Sequence, residues 1–334
     1  MRSGYLYVMS EFRTILTNTK ASFQIGHPDH CLTIGSCFAD NLGQLLQQYK
    51  FNSLVNPFGT SYNPISIHKA LQYAIGNDSP KPETFGELNE THFNYDFHSS
   101  FSNLSKANLE KSLSDTIKKT HEFLKSASIL FITYGTAWVY ERIDNGEIVS
   151  NCHKVPARNF KKQLLRQKKI LASFPGIHDR THELNPKLQI ILTLSPVRHL
   201  KDTLELNAVS KSIVRLSCHT LAELYPNVEY FPAYELVLDD LRDYRFYDRD
   251  LLHPSPEAID YIWKYFGERY FSTETLRFNQ QWGEVMKALK HRAYQPNSVE
   301  HQKFIGGLIS KLEDLKSKIN VDKELSQLRS QLKP

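Results

Sequence analysis

The sequence predicts an α/β protein with three layers, α/β/α, a mostly parallel central sheet and a helical appendage at the C-terminus. Three observations point there. Unbroken apolar runs, "SILFITYG" at 128–135 and "LQIILTLS" at 188–195, have the pattern of central strands covered on both faces. Segments with helical spacing of apolar residues alternate with such runs. The most apolar strands end in loops rich in Gly, Ser, Thr, Asn and His, at the carboxyl edge where sheets of this kind hold ligands.

The elements follow in order. "HCLTIGS" at 30–36 is a short strand ending at a glycine, and "CFADNLGQLLQQY" continues as a helix with Phe38, Leu42, Leu45 and Leu46 at helical spacing. "FNSLV" starts a second strand, followed by a Pro/Gly/Asn loop. "PISIHKALQYAIG" is a helix opened by Pro64 and closed near Gly76. Residues 77–104 lack a period and read as an irregular loop. The stretch 104–127 is a long amphipathic helix. "WVYERIDNGEIVSN" alternates around "DNG", a hairpin signal. The basic segment 157–174 reads as a helix, as does 203–225. "NVEYF" at 227–231 is a strand, and 255–271 is a helix with Ser255 as N-cap and Pro256 in its first turn. The composition changes near residue 272, which divides the chain into a domain over 10–272 and a charged helical extension over 273–334. There is no internal repeat.

Bulk properties narrow the function. The 334 residues suffice for a large core. The net charge of +5, from 41 basic and 36 acidic side chains, is a mild excess with no basic block, so nucleic acid is not an expected partner. Cys31, Cys37, Cys152 and Cys218 form no CxxC pair and no metal spacing. Four thiols in so long a chain point to a reducing, cytoplasmic setting. There the glycosylation patterns "NET" and "NLS" carry no weight. No segment reaches the roughly 18 apolar residues of a membrane span. The N-terminus lacks the continuous apolar region of a signal peptide, and either Met1 or Met9 could start the chain.

Two groups of residues could carry chemistry. In "TIGSCFADNLG", Ser36 stands where strand gives way to helix. Backbone N–H groups and the positive end of the helix dipole would there stabilise an anion. The plain alternative is a capping serine. Cys37 is a rival nucleophile, but one step into the helix turns a side chain by about 100°, which is expected to face it to the core. The second group is Asp250 and His253, three apart before the 255–271 helix. The carboxylate can hold one ring nitrogen and leave the other free to take a proton. His153, in "NCHKVP", is either structural or a substrate contact. Arg198 and His199 follow a central strand and would line the mouth of the cleft, where Arg198 suits an anionic or polyhydroxylated ligand.

A serine after the first strand with Asp-x-x-His before the last helix resembles the SGNH (GDSL-like) hydrolases. More closely, residues 10–272 resemble the GSCFA family, whose motif stands here as Gly35 to Ala39. "NPFGTSYNP", "TYGTAWVY", "NCHKVP", "LTLSPVRH" and "YFPAYELVLDDLRDYRFYDRDLLHP" fit it in order; the C-terminal tail lies outside this resemblance. The resemblance implies an SGNH-like fold and a serine acyl hydrolase with Ser36 as nucleophile, His253 as base and Asp250 as orienter. It also implies an oxyanion hole. Gly59 matches the glycine that follows the second strand. The asparagine of the third block is replaced, leaving Thr136 nearby and Asn63 or Asn151 as substitutes. "AIGND" at 74–78 imitates that block but ends a helix. The expected substrate is an O-acyl ester, an acetylated carbohydrate by analogy of fold, with no metal and no organic cofactor expected. The alternatives are an O-acyltransferase on the same site, a binding protein that has lost efficient chemistry, or a scaffold whose C-terminal helices contact a partner or a second copy.

Overall fold

The computed structural model describes residues 13–290, 294–295, 298–316 and 319–332. The choice between Met1 and Met9 lies outside them. In chain order the strands are β1 (His30–Gly35), β2 (Asn52–Val55), β3 (Phe85–Leu88), β4 (Thr91–Asn94), β5 (Ile129–Tyr134), β6 (Trp138–Arg142), β7 (Ile148–Val149), β8 (Phe160–Leu164), β9 (Gln189–Leu194) and β10 (Val228–Phe231). The helices are α1 (Cys37–Gln48), α2 (Pro64–Gly76), α3 (Lys106–Ser126), α4 (Gln167–Ser173), α5 (Pro175–Leu184), α6 (Thr203–Leu224), α7 (Ala233–Glu235), α8 (Pro256–Tyr270), α9 (Thr273–Lys290), α10 (Val299–Leu315) and α11 (Asp322–Arg329).

Five strands form the central sheet in the order β10-β9-β5-β1-β2, all parallel. Alternation along each strand sends side chains to opposite faces. Leu32, Ile34, Leu130, Ile132, Tyr134, Ile190 and Leu192 join one core with α2, α3 and α6. Cys31, Ile129, Phe131, Ile191 and Phe231 join the other with α1 and α8. Both faces are covered, which is why these strands are apolar throughout. The result is the expected three-layer α/β/α fold. β5 lies at the centre, and chain progression reverses between it and β1. In such a sheet that reversal opens a crevice at the carboxyl edge.

Two stretches differ from the sequence reading. Residues 77–104 are not irregular: β3 and β4 pair antiparallel within them. Both strands are only four residues long, too short for a period to show. The basic segment 157–174 is not one helix. Phe160–Leu164 pairs with β6, from Trp138↔Leu164 to Arg142↔Phe160, and adds a third strand to the hairpin around "DNG". Only Gln167–Ser173 of that segment is α-helical, besides a single 3-10 turn at Ala157–Asn159. An available strand edge outweighed the helix propensity of lysine, glutamine and leucine.

The C-terminal helices close on a third core of Phe278, Trp282, Val285, Leu308, Leu312, Leu325 and Leu328. They dock at the far end of α1. Trp282 Nε1 donates to Gln48 O at 2.8 Å, and Lys50 pairs with Glu324 at 2.7 Å. Among the described residues no helix is long and apolar enough to cross a membrane.

Candidate active site

The turn from β1 into α1 is built tightly. Gly35 holds φ +134°, and a Cβ there would meet the Thr133 carbonyl oxygen at 2.1 Å. Only glycine can therefore lie so close to β5. Its N–H donates to Asn56 Oδ1 at 2.8 Å, and the Ser36 N–H donates to Thr133 O at 3.0 Å. Ser36 keeps extended dihedrals, φ −69° and ψ 173°, and is the N-cap of α1. It is 0 % exposed, and its Oγ accepts from the Phe38 N–H at 3.4 Å. Cys37 is the first residue of the helix and is half-buried.

The orientation expected for this pair is reversed. Cys37 Sγ lies 3.7 Å from His253 Nε2, while Ser36 points inward. The angular separation of neighbouring helix residues holds, but its phase was misplaced. Ser36 keeps the extended backbone of the strand that ends at Gly35, and its hydroxyl turns back to cap the helix, so the first truly helical side chain, Cys37, is the one that meets His253.

Asp250 and His253 meet as expected. His253 Nδ1 lies 2.6 Å from Asp250 Oδ2, and Asp250 Oδ1 accepts the N–H of His253 at 3.0 Å and of Leu252 at 2.8 Å. Those two backbone donors, followed by the imidazole, hold the Asp250 carboxyl down at about 2. Leu251 between them has φ 59°, an unusual backbone for a branched side chain. Both side chains are 45 % exposed, so the site opens to solvent.

Arg198 does not line the cleft as a free cation. Its guanidinium lies 4.2 Å from the Tyr247 ring centroid and 5.2 Å from that of Tyr244, and the Arg198 backbone N–H donates to Leu252 O at 3.3 Å. It braces the loop that carries Asp250 and His253. His199 lies edge-on to Tyr62, with centroids 5.6 Å apart. Burial, then the charges of Lys211 and His253, push it down to about 4, so it is neutral.

The expected oxyanion and substrate residues are engaged by the fold. The Gly59 N–H donates to Asn56 O at 2.8 Å. Asn63 caps α2, accepting from the Ser66 N–H at 2.9 Å. The Thr136 hydroxyl pairs with Ser210 Oγ at 2.9 Å and accepts from the Trp138 N–H at 3.1 Å. Asn151 Oδ1 accepts from the His153 N–H at 2.8 Å. His153 in turn meets Asn94 O at 2.8 Å through Nε2 and stacks on Phe93, with centroids 4.5 Å apart. The donors at Cys37 are instead those of the helix terminus: its own N–H and that of Phe38 reach the sulfur.

Other groups around Cys37 were not singled out from sequence. Asn56 Nδ2 donates to Asp40 Oδ1 at 2.8 Å, and Thr60 Oγ1 to Asp40 Oδ2 at 3.3 Å. Lys211 is 1 % exposed, with Nζ at 2.8 Å from Gly135 O and 2.6 Å from Ser195 O. Burial lowers Lys211 to about 7. Its signal was present: on α6 it shares a face with Asn207, Val214, Cys218 and Leu221, which are all buried. Burial pushes the Cys37 thiol up, and Asp40 adds to this. Lys211 and the two backbone N–H groups pull the other way. A separate cavity of about 330 Å³ is lined in part by Lys69, Tyr73, Asp96 and Arg142. Its charges are paired locally, Lys69 with Asp96 and Glu147, both at 3.0 Å. Among the described residues no cluster of His, Cys, Asp and Glu has the makings of a metal site.

The GSCFA family model matches residues 30–266, and a model described as the C-terminal domain of GSCFA domain proteins matches 282–334. No match was found among curated protein sequences. Among solved structures, the chain is similar to a carbohydrate esterase family 3 protein from Talaromyces cellulolyticus, at 6 % identity and TM-score 0.34, over 75 % of this chain and 98 % of that one. It is also similar to an acetyl xylan esterase from Butyrivibrio proteoclasticus, at 10 % identity and TM-score 0.35, over 77 % of this chain and 66 % of that one.

Proposed function

The chain belongs to the GSCFA family, and we propose that it is an acyl-transfer enzyme acting on O-acyl esters, with Cys37 rather than Ser36 as the nucleophile. One observation carries the reading. Cys37 Sγ lies 3.7 Å from the Nε2 of a histidine whose Nδ1 is held at 2.6 Å by Asp250. That is a nucleophile, a base and an orienter in sequence.

At rest the sulfur carries its proton, because burial disfavours the thiolate. His253 Nε2 takes that proton as the sulfur attacks the ester carbonyl. An S–C bond forms, and the carbonyl π pair becomes an oxyanion. The positive end of the α1 dipole, with the Cys37 and Phe38 N–H groups that reach the sulfur, lies beside that charge. Collapse breaks the C–O bond, and His253 returns the proton to the leaving alcohol. A thioester remains on Cys37. Water or a second alcohol, deprotonated by His253, then releases the acyl group and restores the thiol. Asp250 stays ionised throughout and keeps the imidazole in the tautomer that accepts at Nε2. A small acyl group on a carbohydrate hydroxyl is the proposed substrate class; the open approach past His253 is compatible with a bulky alcohol.

Turnover of 4-nitrophenyl acetate tests the reading. Cys37→Ala is expected to lose at least about 10³-fold in kcat, while Ser36→Ala keeps most of its activity. Activity lost in Ser36→Ala and kept in Cys37→Ala would overturn it. A binding protein without chemistry is the second reading, favoured by the engagement of Gly59, Asn63, Thr136 and Asn151 elsewhere in the fold. It predicts no turnover in any variant.

A further inference from the structure

Lys211 has no role in the steps above, yet it is the most deeply buried amine near the site. Burying an ammonium is costly unless an anion or a full set of acceptors meets it. Its Nζ donates to Gly135 O at 2.8 Å and Ser195 O at 2.6 Å. These two carbonyls sit just beyond β5 and β9, which end at Tyr134 and Leu194. No carboxylate among the described residues pairs with it. The register that sets Gly35 beside Thr133 carries Cys37 and Gly135 to the same rim of the sheet. Lys211 Nζ, hydrogen-bonded to Gly135 O, therefore lies at the same rim of the sheet as the sulfur. Among the described residues, a negative charge on Cys37 is the one that would favour its ammonium.

We propose that Lys211 is the buried countercharge of the Cys37 thiolate, its ammonium held between the ends of β5 and β9 to stabilise the sulfur anion that forms when His253 takes the thiol proton. It acts through Cys37 and is a positioning residue. The neighbouring charges leave it this part. Asp40, whose charge disfavours the thiolate, is hydrogen-bonded to Asn56 and Thr60. Tyr62 lies within reach of the charges of Cys37 and Asp40, and burial keeps its phenol protonated. His199 is neutral. His253 is the other cation near the sulfur, but it gives its proton up during the reaction, whereas Lys211 is buried and hydrogen-bonded to two backbone carbonyls. The aromatic face of Tyr234, 5.9 Å from Nζ, adds a weak attraction for the ammonium.

The proposal rests on Cys37 as the reacting group, and its readout is alkylation rather than turnover. Labelling of full-length protein by iodoacetamide is followed at Cys37 and at half-buried Cys152 by peptide mass spectrometry, from pH 6 to 10. In Lys211→Met the Cys37 rate between pH 6 and 7 is expected to fall about tenfold, the difference narrowing above pH 7 as the Lys211 ammonium, lowered to about 7, itself loses its proton, with Cys152 unchanged. An unchanged Cys37 profile in the folded variant overturns the proposal. If Lys211→Met does not fold, His253→Ala serves in its place. With Lys211 the remaining cation, anionic iodoacetate gains on neutral iodoacetamide at Cys37 relative to Cys152 in low salt, and the gain disappears in high salt. Equal reagent ratios at the two cysteines overturn it. A Lys211-dependent profile without esterase turnover would sink the acyl-transfer reading alone. Turnover through Cys37 with a Lys211-independent profile would sink this proposal alone.

Discussion

Asp250 shows how much one side chain sets at this site. Its Oδ1 accepts two backbone N–H groups of its own loop, and its Oδ2 holds His253 Nδ1 at 2.6 Å. In Asp250→Asn the amide oxygen can keep the two backbone bonds, but the amide nitrogen donates where the carboxylate accepted. Nδ1 must then accept, the proton moves to Nε2, and His253 can no longer take a proton from Cys37. The expected result is a fall in kcat of about 10³-fold or more with KM and melting temperature little changed, measured by steady-state kinetics and thermal unfolding. Equal losses in stability and kcat would mean that the loop, not the tautomer, had failed. Ser36→Ala should show the opposite balance. It removes a cap worth about 1 kcal/mol, lowering the melting temperature by about 2 °C while turnover persists. The "GSC" triplet and the Asp-x-x-His pair were legible because each is local. The facing of Ser36 and Cys37 was not. It depends on where the strand geometry stops, a matter of one residue.

His68 makes the corresponding argument for the elements. It ties α2 to β5 through Tyr134 Oη at 2.6 Å and to α4 through Ser173 Oγ at 2.7 Å. Burial pushes its imidazole down to about 3, so it stays neutral in the folded protein. In the unfolded chain it takes a proton below about pH 6.5. Between about pH 6.5 and pH 3 the unfolded state thus binds more protons, and stability falls as pH falls through that window. Denaturant unfolding at pH 7, 6 and 5 should show a slope shallower by about one proton in His68→Gln than in the wild type. Identical slopes would mean that His68 is protonated in the folded state. The central strands and their helices were readable because unbroken apolar runs mark the six-residue strands β5 and β9 and a 3.6-residue pattern runs through helices of twelve residues or more. β3, β4 and β8 were not, because four- and five-residue strands take their identity from the partner edge.

At the scale of the molecule, α1 connects two regions with separate duties. Its N-terminus faces the crevice with Cys37, and its C-terminus carries the docking of the last three helices through Gln48, Lys50 and Trp282. Twelve helical residues put roughly 18 Å between them. Trp282→Ala should therefore lower stability by about 3–5 kcal/mol, while Glu324→Ala costs under about 1 kcal/mol. Neither should change the rate at which Cys37 is alkylated below the unfolding range. A changed rate would show that the C-terminal helices reach the site. The reversal of strand order between β1 and β5 sets the carboxyl edge at which the proposed nucleophile Cys37 and base His253 meet. What the fold alone does not establish is which atom forms the covalent bond. That is read directly by mixing the protein with 4-nitrophenyl acetate, quenching in acid and mapping the acetyl group by peptide mass spectrometry. The account predicts an acetyl thioester on Cys37, absent in Cys37→Ala and retained in Ser36→Ala. An acetyl ester on Ser36, or no acyl-enzyme under conditions where Cys37 alkylates readily, would contradict it.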